Sequence, residues 1–434
     1  MLRTSDERSL QTAIFHDSEQ KRGKDLNEWS ETFWIPIMTG SKPLDGLNVV
    51  ELGTAISGPF ATKMMADYGA TVIKIEQPDT ERKQMDSDNT DFEGFSHTFA
   101  IYNQGKNGIT LDLKSEEGQE IFLELIGDAD VFLENLRNGV VERLGFDWET
   151  MREQNPELVY CSVSGFGDTG PYADRPAFNS VVEGMSGWLS GQDDAMGSPI
   201  AVVDHLTGFN ALSGVLMALL NRGVDGRGEK VEVSMLDSAI ACAGEEFAGY
   251  SEVQAGFDVE NPYQPPMQPS GYYETDDGHI SMIVPDTLWE EFANAVDKPE
   301  WADANHHFAE EAYRLNNSDE LQEELEAILS GRTADEWLEY FESEAPKVPC
   351  GPVYWIEDLV EDPHLTERNQ VLEVDHPVLG THYLPRPSLR FANHPVDGSD
   401  VKPAPSIGAD TKSTLESLGY SEEQIATLRE NRVI

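Results

Sequence analysis

A single carboxylate, Asp204, interrupts the apolar stretch SPIAVVDHLTGFNALSGVLMALL at 198–220. The run before it reads as a strand and the run after it as a long helix. An aspartate so placed is seldom buried unless it is paired or put to use. Two uses fit the position. As a helix N-cap, its oxygen would accept from the amides two or three residues on. As a reactive carboxylate at the end of a strand and the start of a helix, it would stand where α/β folds present nucleophiles. His205 beside it reads as a polar residue of the first helical turn.

Other chemistries lack their residues. The ten histidines include one adjacent pair, His306 and His307, but no H-E-x-x-H and no paired C-x-x-C, so no metal site is expected. Ser164 is followed by Gly165, Phe166 and Gly167, which reads as a turn rather than the G-x-S-x-G elbow of a hydrolase. No P-loop is visible, and Gly53 and Gly58 are spaced wrongly for G-x-G-x-x-G, which argues against ATP, nicotinamide and flavin.

The elements that must position Asp204 form a repeating pattern. LNVVELG (47–53) predicts a buried strand, GTAISGPF a turn, ATKMMADYG a helix closed by Gly69, and ATVIKIE a second strand. NGITLDL, DVFLENL and ELVYCSVSGFG predict further strands, and SEEGQEIFLELIGDA a helix capped by Ser115. GRGEKVEVSMLDSAIACAGE adds one more turn, strand and helix. Such alternation predicts an open parallel sheet with ligands at the carboxyl ends of its strands.

The expected organisation is an N-terminal extension over 1–42, a large α/β domain over 43–250 and a proline-rich linker over 251–270. A smaller α+β domain over 271–353 comes next, with a hairpin across Asp277-Gly278, and then a C-terminal segment over 354–434 that returns to the large domain.

Bulk composition narrows the setting. Thirty Lys plus Arg stand against 80 Asp plus Glu, a formal net charge of -50. Nucleic-acid binding is excluded, since affinity for phosphates is built from clustered cations. Self-repulsion at that charge destabilises a compact chain in dilute buffer, whereas at about 1 M salt the screening length shrinks to roughly 3 Å. A salt-adapted cytoplasm is therefore expected. Cys161, Cys242 and Cys350 are few, odd in number and far apart, which points to a reducing compartment. No signal peptide or membrane-spanning run is read, so no membrane partner is expected.

From Pro43 onward the sequence resembles family III CoA-transferases. The resemblance rests on PLDGLNVVELGTAISGPFATKMMADYGATVIKIE, NGITLDLKSEEGQEIF, DVFLENLRNGVVERLGF, NPELVYCSVSGFGDTGPYADRP, AVVDHLTG, GRGEKVEVSMLDSAI, SGYYETDDGHISM and VPCGPV, eight stretches in order. It implies a large Rossmann-like open-sheet domain, a smaller α+β domain and an interlocked homodimer. It also implies that Asp204 is the nucleophile, passing through an acyl-aspartyl anhydride and an aspartyl-CoA thioester.

Acyl-CoA and a free carboxylic acid would be the substrates, and no cofactor would be bound permanently. The resemblance places coenzyme A against Thr54, Ile56 and Ser57, against the run Leu111 to Lys114, against Asn135, Leu136 and Arg137, and against Arg143. Lys114, Arg137 and Arg143 suit the phosphates of CoA, the other reading of each being a surface salt bridge.

Departures bear on the substrate. Ile56 stands where formyl-CoA transferase has glutamine, Gln77 stands where it has arginine, and QPSGYYETDDG replaces its glycine-only loop. Small dicarboxylates such as succinyl-CoA and mesaconate are the expected pair, as in salt-adapted archaea, with Arg82 and Arg175 as candidates for a second carboxylate. The alternatives are a racemase of α-methylacyl-CoA, whose histidine base is replaced here by Phe178 beside Asn179, and a CoA-binding protein without catalysis.

Overall fold

The computed structural model describes residues 41–78, 97–189, 197–254, 267–376, 380–396 and 402–434. Residues 1–40 of the expected extension, Arg82 and the middle of the linker lie outside the described residues. Two compact units emerge, one of Met1–Gly244 with Leu372–Ile434 and one of Glu245–Val371. The cuts fall at 244 and 371, where the sequence placed them at 250 and 353.

The first unit is built on a six-stranded sheet. Its strands are β1 (Asn48–Leu52), β2 (Thr71–Glu76), β3 (Asn107–Thr110), β4 (Val131–Glu134), β5 (Val159–Ser164) and β6 (Lys230–Ser234). Their order is β3-β2-β1-β4-β5-β6, every pair parallel. The direction in which successive strands are added reverses between β1 and β4, so the loops leaving these two strands diverge and open a crevice at their carboxyl ends.

Alternation along the strands feeds two cores. Val50, Ile75, Ile109 and Phe132 pack on one face with Phe122 and the C-terminal Leu415, Ile425 and Leu428. Val49, Val72, Val131 and Val159 pack on the other with Met64, Met65, Ala211 and Val215. The tail thus returns to the large unit.

Five helices surround the crevice or brace its strands: α1 (Ser57–Asp67), α2 (His97–Asn103), α3 (Glu116–Gly127), α4 (Asn179–Met185) and α5 (Val202–Asp225). Ser115 caps α3 by accepting from the Gly118 amide. The chain turns out of α1 through Gly69 at φ +110, where a Cβ would lie 2.4 Å from Asp45 Oδ1. α5 is long and apolar enough to cross a membrane by composition; one side of it packs on α1, β5 and β6.

In the second unit, β7 (Ser270–Glu274), β8 (His279–Ile283) and β9 (Cys350–Pro352) form an antiparallel sheet. The hairpin turns where the Asp277-Gly278 pair predicts it. Trp289, Phe292, Trp301, Leu325 and Phe341 fill its core.

Candidate active site

The stretch before Asp204 is not a strand. Residues 198–201 are irregular, α5 begins at Val202, and Asp204 is its third residue. Nor is Asp204 the cap, since Ala201 holds that position without a side-chain bond. The capping acceptor comes from another element: Asn179, first residue of α4, takes the Val203 amide at 2.8 Å and the Asp204 amide at 3.3 Å on its Oδ1. Buried Glu183 accepts from the Asn179 side-chain amide at 3.3 Å and from the Ser198 amide at 2.7 Å. The Asp204 carboxylate is thereby released from any duty to its own helix.

Close packing brings it to the sheet. A Cβ on Gly208 would lie 2.9 Å from the Ser57 carbonyl and 2.7 Å from Phe60, so the missing side chain lets α5 touch the start of α1. There Ser57 comes near enough to Asp204 to favour its ionised form. Burial pushes the Asp204 carboxyl up to about 6, with His205 and Ser57 pulling against the rise. The group is still mostly ionised at neutral pH, and it is more basic than an ordinary aspartate.

The turns after β1 and β4 are stitched together at the crevice. The Thr54 amide donates to Asn135 Oδ1 at 2.7 Å, and Asn135 Nδ2 donates to the Thr54 carbonyl at 2.8 Å and to Ser57 Oγ at 3.3 Å. Gly58 admits this, for a Cβ there would lie 3.0 Å from the Asn135 amide carbon. Ala55 in the same turn has φ +57, a left-handed conformation that costs a side-chain-bearing residue about 1–2 kcal/mol. Thr54, Ser57, Asn135 and Asp204 thus form one connected group, with half-buried Ile56 among them.

The other predicted residues scatter more. Arg137 lines a cavity of about 170 Å³ at the ends of β4 and β5, with Glu134, Asn138, Gly139 and Ser162. Arg143 sits beside it, its guanidinium 2.8 Å from where a Gly139 Cβ would be. Lys114 is exposed beyond β3. Leu111 is 1% exposed and belongs to the core, and Leu136 packs on the same core. Arg175 is exposed and stacks on the Tyr172 ring at 3.9 Å. Phe178 is 62% exposed just ahead of α4.

Sequence reading missed three features. Asn179 is one. A second is an aromatic group beside the carboxylate: the Tyr102 hydroxyl lies 2.9 Å from His205 Nε2, whose Nδ1–H donates to the Ala201 carbonyl at 2.7 Å, and Phe60 meets the imidazole edge-on at 4.8 Å. The third is an ionic cluster of Glu51, Lys74 and Lys106 under the β1 turn. Its signal was legible, since Glu51 in NVVELG and Lys74 in TVIKIE each stand between apolar strand residues, and neighbouring buried charges call for one another.

Comparison with known proteins places the chain. Residues 44–411 match CoA-transferase family III. The beta subunit of succinyl-CoA–L-malate CoA-transferase from Chloroflexus aurantiacus is 31% identical over 407 residues, 91% of this chain and 99% of that protein. Formyl-CoA:oxalate CoA-transferase from Shigella sonnei is 30% identical, over 91% of this chain and 100% of that protein. Among solved structures, a CaiB/BaiF family protein from Brucella suis superposes with a TM-score of 0.74 at 27% identity, covering 87% of this chain and 99% of that one. Rv3272 from Mycobacterium tuberculosis gives 0.73 at 29%, over 86% and 98%.

Proposed function

The chain belongs to CoA-transferase family III, and from that premise we propose that it moves coenzyme A between acids with Asp204 as the nucleophile. An Asp204 oxygen attacks the donor thioester carbonyl, the C–S bond breaks, and CoA leaves as the thiolate beside an acyl-aspartyl anhydride. The thiolate attacks the aspartyl carbonyl, which releases the donor acid and leaves an aspartyl-CoA thioester. The acceptor carboxylate attacks that thioester and expels the thiolate, which then takes the acceptor acyl group and restores Asp204. No bond energy is lost to water, so neither ATP nor a resident cofactor has a part.

The observation that carries this reading is a carboxylate at the head of a helix that does not use it, made more basic by burial. Its partner Ser57 opens α1, and the positive end of that helix favours charge developing there. Thr54, Ile56, Ser57, Asn135 and Leu136, the backbone from Leu111 to Lys114, and the cations Lys114, Arg137 and Arg143 are the CoA contacts in this reading.

Small dicarboxylates are the proposed substrates, with succinyl-CoA and mesaconate as a pair. The named relatives act on malate and oxalate, each an acid with two carboxylates, and Arg175 is the cation within the described residues offered to the second one. Phe178 leaves the racemase reading without its base.

A homodimer in a salt-rich cytoplasm is part of the proposal. It is supported by the exposed apolar side of α5, where Phe209, Met217, Leu220 and Val224 recur at helical spacing.

The test is incubation with succinyl-CoA and a panel of free acids in about 2 M KCl, a salt level at which surface repulsion is screened, with new thioesters tracked by mass spectrometry. Acyl exchange that Asp204→Asn abolishes is the expected result. Hydrolysis alone, or exchange of the α-proton without acyl transfer, would overturn the assignment.

A further inference from the structure

Under the β1 turn lies a buried ionic cluster to which the transfer reaction gives no part. Glu51 of β1 accepts from Lys74 of β2 at 2.9 Å on Oε1. Its Oε2 lies 2.8 Å from Lys106 Nζ and accepts from the Thr62 hydroxyl at 2.7 Å. The Glu51 and Lys106 side chains are fully buried and Lys74 is 4% exposed. Such a cluster adds little net stability, because the desolvation of each charge offsets their attraction.

The cluster does hold backbone. Lys74 Nζ also donates to the Gly53 carbonyl at 2.6 Å, and Lys106 Nζ donates to the Pro59 carbonyl at 2.9 Å and to Asn103 Oδ1 at 3.0 Å. Gly53 and Pro59 bracket the turn that carries Thr54, Ile56 and Ser57. The turn closes tightly over the cluster, for a Cβ on Gly53 would lie 2.4 Å from Glu51 Oε1. It also contains the left-handed Ala55, a conformation that persists only where the surroundings enforce it.

We propose that Lys74 and Lys106, locked on Glu51, are positioning residues that clamp both ends of the 53–59 turn and so hold Ser57 beside Asp204. This rests on the reading of Asp204 as nucleophile. Lys106 faces Glu51, Lys74, Lys63 and Asp67. Burial, with Lys74 and Lys63 adding to it, pulls its amine down to about 7 against the hold of Glu51. As Lys106 loses its proton the clamp on Pro59 weakens, so turnover falls on the alkaline side.

The experiment measures kcat and KM for Lys106→Gln, Ser57→Ala and the double variant, with near-ultraviolet circular dichroism to confirm folding. Misplacing a reacting group by a fraction of an ångström is costly, so Lys106→Gln should lower kcat about tenfold or more with little change in KM. In the Ser57→Ala background it should cost less than about twofold, because both changes break one linkage. Asn103→Asp sets a carboxylate on Lys106 Nζ and should move the alkaline limb of kcat up by about one pH unit.

Losses that multiply independently, or a limb that stays in place in Asn103→Asp, would overturn the clamp. Should Lys106→Gln fail to fold, the Asn103→Asp profile decides alone. Wild-type protein without acyl exchange would instead sink the transferase reading, a separate outcome.

Discussion

Asp204 is a carboxylate that its surroundings make reluctant to ionise. Its folded pKa of about 6 lies above the ordinary 3.8. The folded form therefore binds the proton more tightly than the unfolded chain, and the linkage has a definite sign. Its charge costs stability in full above about pH 6, and the cost fades as pH falls toward 3.8. Glu51 has the opposite sign, for Lys106 and Lys74 outweigh burial and hold it at about 2. Its contribution is present above 4.5 and is lost as pH falls through about 2. Asp204→Asn should therefore abolish transfer while melting at the same or a higher temperature at pH 7, an advantage that disappears near pH 4. In the wild type, kcat should fall on the acid side with a midpoint near 6 as the proposed nucleophile takes up its proton. A clear drop in melting temperature for Asp204→Asn at neutral pH would mean that the carboxylate is chiefly structural.

At the scale of elements, the start of α5 is fixed from outside its own sequence. Asn179 supplies the acceptor, Glu183 orients Asn179, and Gly208 sets how near α5 comes to α1. Asn179→Ala should cost about 1 kcal/mol in denaturant unfolding, the usual worth of a cap. It should also lower kcat more than KM changes, since the helix end that carries Asp204 loosens. Unfolding curves that superimpose on wild type would remove Asn179 from this role. This arrangement also explains what the sequence could and could not disclose. The strands and the Ser115 cap were legible because their signals are local: short apolar runs bounded by turns, a serine before glutamates, and Asp-Gly at a hairpin. The apolar run ahead of Asp204 read as a strand because Ile200, Val202 and Val203 favour one, yet Val202 and Val203 are the first turn of α5. Its cap lies 25 residues upstream, so no reading of nearby residues finds it. Leu111 likewise sits at a position the family resemblance assigns to CoA, while its side chain serves the core.

For the whole molecule the formal charge of -50 is carried at the surface. Among the described residues the buried cations Lys63, Lys74, Lys106 and Arg314 are matched by the buried acids Glu51, Asp67, Glu134 and Glu183, so burial leaves the outer shell as acidic as the total implies. That shell is met by a substrate that is itself an anion. Two effects arise from the same field. Self-repulsion opposes the folded state at low ionic strength, and a CoA thioester must approach against a negative potential until it reaches its site, which the proposed reading places at Arg137 and Arg143. Raising KCl from about 0.1 M to about 1 M shortens the screening length from roughly 10 Å to roughly 3 Å, which should relieve both. The melting temperature should rise and KM for the acyl-CoA should fall over that range, the reverse of the weakening seen where surface cations steer an anion. Thermal melts and initial rates on one preparation separate the two effects. A melting temperature indifferent to salt would remove the repulsion argument, and a KM that climbs with salt would mean that the cations at the crevice, not the acidic shell, set the field the substrate feels.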